Sequence, residues 1–283
     1  MKTPRRAEFG YTLFELMVAL SMSAILMSGV MSSYINMISV SADHEVVARI
    51  DENARTILEM VVFDLRMAGT GMPIGQDDFA IGDALIGEAP LPVLLDSTTD
   101  YLRFRLNETG FQTTNVFEFI PSEDLYLYLA STAGLKEGNI LYVSDAAVDG
   151  HDGFRGQIRS IAGNTVRMED DYTASTNAIF PAGSSVSPVN EITYQSFDDW
   201  SGVVRAVNGE SIQLAENTRV SFTYLNRDRE TISLPLSDSE VADSLYAVDV
   251  VVWARSEEKL SDGDVYQATA KQRVVFRSLR LRE

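Results

Sequence analysis

The sequence of 283 residues contains no cysteine and only two histidines, and each scarcity excludes a class of site. Without cysteine the chain has no thiolate metal ligand, no thiol nucleophile and no disulfide. His44 and His151 are too few for a zinc site built from several histidines. Basic residues are scarce as well, since 23 Lys and Arg stand against 41 Asp and Glu. The resulting net charge of −18 argues against a protein that coats nucleic acid or acidic lipid.

Charge is distributed unevenly along the first part of the chain. Residues 1–10 carry three basic side chains and one acidic side chain, which gives this segment a net charge of +2. No charged residue lies between Leu16 and Ala42, and eighteen of these 27 residues are apolar. At about 1.5 Å per helical residue, this run is long enough to cross a hydrocarbon layer of roughly 30 Å. A basic flank before such a run predicts that the short N-terminus stays in the cytoplasm.

Three interpretations of this segment compete. A cleaved secretory signal has a shorter apolar region, of about 7–15 residues, and ends in a small-residue cleavage site. No such site closes the run before Ala42. A plain single-pass anchor would require only the apolar run. The third interpretation depends on Glu15, because a carboxylate at the start of the run is costly in lipid and needs a partner and a purpose.

The residues around Glu15 resemble the type III signal of type IV prepilins and pseudopilins. The usual run in that family is G-F-T-L-I-E-L, and five of its seven positions match Gly10-Tyr11-Thr12-Leu13-Phe14-Glu15-Leu16. The two departures, Tyr11 and Phe14, are apolar or amphipathic replacements. The basic leader, the glycine, the glutamate and the uncharged run also follow one another in the order of the family.

The resemblance implies a processing site and an assembly residue. Prepilin peptidase would cut between Gly10 and Tyr11 on the cytoplasmic side and would then methylate the new amino group of Tyr11. Gly10 supplies a small, flexible residue at the cut. Glu15 would neutralise the N-terminal ammonium of a neighbouring subunit, because two buried opposite charges are far less costly together than apart.

Beyond Ala42 the pattern becomes amphipathic. Apolar residues recur at steps of three and four, and charged residues occupy the other faces, which is typical of a helix with one buried stripe. Gly69, Gly71 and Pro73 predict the end of this helix. After a leader at 1–10, the sequence therefore predicts one helix over 11–68. Residues 11–42 would lie in the membrane or in a filament core, and residues 43–68 would pack on a head.

Residues 69–283 are predicted to form a β-rich head. Alternating polar and apolar residues predict strands at 101–106, 116–120, 125–129, 140–143, 219–225, 247–254 and 272–281. Two hairpins are predicted with turns at Gly163-Asn164 and Asn208-Gly209. The polar stretch 170–188 is predicted to be a long surface loop. The expected fold class is α+β, with a long N-terminal helix, membrane-spanning in its first half, packed on a globular β-rich head.

Three segments of the head could bind a ligand. Asp149 and Asp152, and also Asp262 and Asp264, lie in Asp-Gly turns that could contribute to a calcium site. Calcium needs six to eight oxygens, and neither turn supplies a complete set. Asp198-Asp199-Trp200 could hold a sugar or a cation, or could be an acidic loop with a half-buried tryptophan. No catalytic motif is present, so we expect no cofactor and no enzymatic activity.

Looser motifs in the head resemble PilW-type minor pilins. They are Leu65-Arg-Met-Ala-Gly69, Val189-Asn-Glu-Ile-Thr-Tyr194, Gln213-Leu-Ala-Glu216, Val220-Ser-Phe-Thr-Tyr224 and Val274-Val-Phe-Arg-Ser-Leu279. This resemblance implies a minor pilin that takes part in starting, and in tipping, a type IV pilus that serves adhesion or motility. Its partners would be prepilin peptidase, other minor pilins, the major pilin and the inner-membrane assembly platform. The acidic head makes direct contact with nucleic acid unfavourable.

The same resemblance implies a location and leaves two alternatives open. The chain would cross the inner membrane once, with its N-terminus in the cytoplasm and its head in the periplasm, and would be exposed at the surface after assembly. A J-type minor pseudopilin of a type II secretion system is the first alternative. A membrane-tethered periplasmic binding protein or enzyme is the second.

Overall fold

The computed structural model describes residues 12–71, 92–121, 125–145, 154–169, 179–237 and 244–276. Within these ranges one long helix is followed by thirteen strands in several sheets. This arrangement confirms the predicted α+β class, with a long apolar N-terminal helix and a β-rich head.

Helix α1 (Leu13–Arg66) begins after the N-cap Thr12 and ends at the C-cap Met67. Gly69 and Gly71 follow with φ angles of 81° and 80°, a left-handed backbone that suits glycine and that turns the chain out of the helix. The helix has 54 residues and is therefore roughly 80 Å long. Its large apolar side chains are exposed as far as Val40, whereas a stripe in its second half is buried.

Two antiparallel sheets pack around the second half of α1. The first has the order β1-β8-β9-β10, formed by β1 (Tyr101–Leu106), β8 (Asn190–Ser196), β9 (Val203–Val207) and β10 (Glu210–Ala215). The second has the order β11-β12-β13, formed by β11 (Thr218–Leu225), β12 (Ala247–Lys259) and β13 (Val265–Val275). Strands β12 and β13 lie against α1. One apolar cluster joins Val61 and Leu65 of the helix to Phe104 and Phe222 of the sheets.

The remaining six strands form a separate unit. They are β2 (Thr113–Thr114), β3 (Tyr126–Tyr128), β4 (Ile140–Ser144), β5 (Phe154–Ala162), β6 (Thr165–Met168) and β7 (Ser185–Pro188), in the order β2-β7-β4-β5-β6-β3. The two ends of this sheet meet, because Asn115 bridges Leu129 and the amide of Val116 donates to the carbonyl of Tyr128. The strands therefore close into a small barrel, which has an apolar core of its own.

The barrel is an insertion between two strands that are neighbours in the first sheet. Leu106 at the end of β1 pairs in register with Asn190 at the start of β8, so a tight turn would be enough to connect them. The insertion point lies at the C-terminal end of α1, where the amide of Gly69 donates to the carbonyl of Arg105. The described residues between 107 and 189 therefore lie at the opposite end of the helix from Leu13.

Both predicted hairpins are confirmed, with turns at Gly163-Asn164 and Asn208-Gly209. The predicted strand at 116–120 is wrong. Only isolated bridges at Asn115 and Phe119 form there, since the Asn115 side chain donates to the carbonyls of Phe117 and Phe180 in place of a regular ladder.

Two further predicted boundaries differ from the structure. The last predicted strand, 272–281, begins earlier, at Val265, because β13 pairs along β12. The predicted loop at 170–188 ends in β7, whose buried Val186 pairs with β4 and β2. Residues 170–178 of that loop and 277–281 of the strand lie outside the described residues.

Candidate functional site

The first described residues form a reciprocal hydrogen-bonded cap on α1. The amide of Glu15 donates to the Thr12 hydroxyl oxygen at 3.3 Å. In return, Oε2 of Glu15 accepts from the Thr12 amide at 3.0 Å and from the Thr12 hydroxyl at 3.1 Å. This capping box satisfies amides at the helix start that have no intrahelical partner. It also places a carboxylate where the positive end of the helix dipole favours negative charge.

The predicted processing residues Gly10 and Tyr11 lie outside the described residues, immediately before this cap. Of the predicted site residues in this segment, the structure therefore describes only Glu15, together with its partner Thr12. The sequence prediction gave Glu15 only an intermolecular partner and did not include the local one. The Thr-x-x-Glu spacing is a recognised sign of a capping box and could have revealed it.

The segment after the cap is uncovered. Every residue from 12 to 38 is exposed, including Leu26 and Met27 at 70% and 72%. By length and composition, α1 is apolar enough to cross a membrane, and it is the one such helix in the described part of the chain. An apolar surface of this extent is unfavourable in water. This half of the helix therefore requires lipid or other protein around it.

The second half of α1 is fastened to the β12–β13 hairpin by two aspartates. Asp43 accepts a hydrogen bond from the Ser261 amide at 3.0 Å and another from the Ser261 hydroxyl. Two turns further along, Asp51 accepts from the Tyr266 hydroxyl at 3.0 Å. The contact of the head with the helix thus begins directly after the uncharged run, which ends at Ala42.

A third aspartate, Asp64, is buried with 6% of its surface exposed. Its Oδ2 accepts from the Tyr194 hydroxyl at 2.6 Å and from Nε of Arg205 at 2.9 Å. Arg205 also pairs with Glu108 at 2.8 Å. Burial and the adjacent Asp64 carboxylate raise the pKa of Tyr194 far above its ordinary value, so the phenol remains a hydrogen-bond donor.

The buried position of Asp64 corrects the prediction that the charged residues of this half of the helix, Asp64 among them, occupy the faces outside the buried stripe. Asp64 follows Val61 by three residues and precedes Leu65, so it lies within the buried stripe. Helical spacing could have revealed this, because a charged residue in register with an apolar stripe must have partners.

Another buried carboxylate, Glu191 of β8, connects the first sheet to the barrel. Its oxygens accept from Nε of Arg103 at 3.1 Å, from Nε of Arg105 at 3.3 Å, and from the guanidinium of Arg155 in β5. Burial alone would raise the pKa of Glu191, but the charges of Arg155, Arg105 and Arg103 outweigh it and lower this pKa below its usual value. Glu191 is therefore ionised at neutral pH.

The predicted calcium turns gain little support from the geometry. Asp262 accepts from the amide of Asp264 at 3.0 Å and so helps to close the turn of the β12–β13 hairpin. Asp149 and Asp152 lie outside the described residues. Across the described ranges, no group of three or more His, Cys, Asp or Glu side chains could hold a metal ion. Asp262 and Asp264 stay candidate calcium ligands, whose turn alone does not supply the six to eight oxygens that calcium needs.

Trp200, the other candidate for a ligand, is half-buried and contacts cations of the protein itself. The guanidinium carbons of Arg219 and Arg255 lie 5.7 Å and 4.8 Å from the centre of its ring. Asp198 pairs with Arg219. These arginines already make the cation–π contacts with Trp200 that an external cation would need, which favours a structural role for the acidic loop over a cation site.

Comparison with known families identifies the N-terminal segment. Residues 5–31 match the family model of the prokaryotic N-terminal methylation motif. This segment is type IV prepilin-like. The match covers Gly10, the capping box and the first part of the uncovered helix, and it supports a pilin-like protein of a pilus or pseudopilus. No curated protein and no solved structure matches the chain.

The prepilin-like motif has three consequences. It implies processing by prepilin peptidase and assembly at the membrane. Together with the apolar α1, it supports single-pass anchoring in the inner membrane. It also suggests that the role of the chain is structural rather than enzymatic.

Proposed function

We propose that this prepilin-like protein is a minor pilin of the PilW kind, which takes part in starting a type IV pilus and lies at its tip. The observation that carries the proposal is the division of α1. Residues 12–38, most of which belong to the methylation motif, are exposed along their whole length, while the helix from Asp43 to Leu65 is fastened to the head. Such a helix is suited to leave lipid and enter a bundle of similar helices. The motifs at Leu65–Gly69 and Val189–Tyr194 support the PilW kind.

Before processing, the basic leader would hold the N-terminus in the cytoplasm while the head lies in the periplasm. Cleavage after Gly10 removes a net charge of +2 and creates an ammonium at Tyr11, next to the cap. Both Thr12 donors bind Oε2 of Glu15, which leaves Oε1 as the acceptor for an ammonium. The capping box therefore orients Glu15 to pair with the methylated amino group of a neighbouring subunit.

The decisive experiment is intact-mass and N-terminal analysis of protein extracted from membranes. We expect a chain that begins at N-methyl-Tyr11, and we expect Gly10→Val to leave a precursor that begins at Met1. Gly29→Val is the matched control, since a side chain at Gly29 meets nothing within 4 Å and Gly29 belongs to the same matched segment, residues 5–31. A wild-type chain that begins at Met1 would contradict the proposal.

A second experiment separates the two roles of Glu15. Glu15→Val removes the charge, and we expect it to be processed but poorly incorporated into filaments. Thr12→Ala removes the hydroxyl from the cap but keeps the backbone amide bond to Oε2 and the carboxylate, so it should be incorporated far better. Equal loss of incorporation in both variants would contradict a role of the Glu15 charge that is separate from the cap.

The motif match suits a J-type minor pseudopilin equally well, and deletion of the gene distinguishes the two functions. A minor pilin predicts loss of surface pili with normal secretion. A pseudopilin predicts the reverse, with folded substrate proteins retained in the periplasm.

A further inference from the structure

The inserted barrel carries an exposed aromatic face, formed by Phe117, Tyr126 and Tyr128. These side chains are exposed by 61%, 45% and 41%. The rings of Phe117 and Tyr128 meet edge to face, with centroids 5.4 Å apart. Tyr126 and Tyr128 lie on the outward side of β3, because Leu127 between them is buried. The three aromatic side chains therefore form one continuous surface.

The fold of the barrel does not require this exposure. The barrel has its own core, to which Phe119 contributes with 2% exposure, only two residues after the outward Phe117. Contiguous apolar surface on a folded unit marks an interaction site. Tyrosine, phenylalanine and arginine are enriched at the centres of protein interfaces. The aromatic face has this composition, since Arg167 of β6 lies over Tyr126 at 5.9 Å.

The charge of the inserted segment indicates the chemistry of the partner. Glu118, next to Phe117, is exposed, and the sequence from 107 to 189 contains eleven acidic against four basic side chains, a net charge of −7 for the insertion. Charge complementarity favours a partner with a basic rim and disfavours a second copy of this acidic barrel. A stacked sugar fits less well, because Arg167 already covers part of the Tyr126 ring.

We propose that the barrel is a recognition module, and that its aromatic face docks a protein with an apolar centre and a basic rim. The insertion point supports this role. Residues 107–189 leave and rejoin the first sheet at Leu106 and Asn190, at the end of α1 opposite Leu13. A partner can therefore bind there while the uncovered half of the helix stays in lipid or in a filament.

The test is photo-crosslinking of the full chain in the cells that produce it. A benzophenone amino acid replaces Phe117 in one strain and Ile212 in the control, since Ile212 is 67% exposed on β10, outside the barrel. We expect a discrete adduct at position 117, at least tenfold stronger than at 212, whose partner peptide contains Lys or Arg. No adduct, or adducts only to this chain, to glycan or to lipid, would overturn the proposal.

Variants at neighbouring positions test whether the adduct depends on the aromatic face. Tyr128→Ser and Glu118→Lys should each reduce the adduct tenfold or more, because the first removes apolar contact and the second reverses the rim charge. An adduct that persists in both variants would overturn the proposal. Should Tyr128→Ser unfold the barrel, the exposed Glu118→Lys decides alone. N-terminal analysis of the same samples reports processing at Gly10 separately, so failure of the pilin proposal and failure of this one are distinguishable.

Discussion

The two halves of α1 share one backbone and have opposite surroundings. Residues 12–38 are exposed throughout, whereas eight residues between Ile50 and Leu65 are buried. The charged group of the first half, Glu15, has its partner one turn away in Thr12. The aspartates of the second half have their partners on the head. One half is thus bound to its own subunit, and the other is left for lipid or for neighbours.

The largest expected effect comes from a matched pair of leucines in the two halves. Leu65→Ala should lower the free energy of unfolding by about 2–5 kcal/mol, because it leaves a cavity where no surface was exposed. Leu26→Ala, at a position 70% exposed, should change it by less than about 0.5 kcal/mol. Urea unfolding of the full chain in detergent, followed by tryptophan fluorescence, measures both values. Equal destabilisation would show that the halves are not independent.

A second pair of variants tests whether the Asp64 carboxylate helps to hold the second half of α1 on the head. Asp64→Ala removes the acceptor of Tyr194 and Arg205 and should lower stability by about 3 kcal/mol, since the buried Tyr194 hydroxyl loses its partner and Arg205 keeps only Glu108. Glu59→Ala, on the exposed face of the same helix, should stay within about 0.5 kcal/mol. The midpoints of thermal unfolding compare the two variants. A neutral Asp64→Ala would mean that the apolar stripe alone docks the helix.

The sequence was sufficient to predict features that depend on local periodicity. It was not sufficient to predict features that depend on tertiary contacts. The end of α1 near Gly69 and the Asn208-Gly209 hairpin follow from backbone preferences. Helical spacing indicates the burial of Asp64, but its partners Tyr194 and Arg205 required knowledge of which helix face meets the first sheet. The inserted barrel could not be recognised, because the pairing of Leu106 with Asn190 joins positions far apart in sequence.

Acid should loosen the connection of the head core to the barrel. The pKa of Glu191 is lowered in the folded chain, so its stabilising contribution is complete above the ordinary glutamate value of 4.5 and is lost as pH falls through the lowered pKa. Stability measured between pH 6 and pH 3 should therefore fall, and Glu191→Gln should flatten this decline. An identical decline in Glu191→Gln would assign the acid sensitivity to other carboxylates.

The smallest expected effect concerns the point where the two halves of α1 meet. Ser261→Ala removes one of two hydrogen bonds to Asp43 and keeps the amide bond of 3.0 Å. Because this site is exposed, the loss should be about 0.5–1 kcal/mol and should remain local. Amide exchange at the hairpin tip, residues 260–264, should accelerate about two- to fivefold, a ratio that follows from this energy.

The control for Ser261→Ala is Ser41→Ala, an exposed change in the same region of the helix. It should leave exchange at the hairpin tip unchanged. If Ser261→Ala instead lowered the global stability as much as Leu65→Ala does, the tip would belong to the cooperative core. The boundary between the uncovered and docked halves would then lie nearer the membrane end of the helix than Asp43.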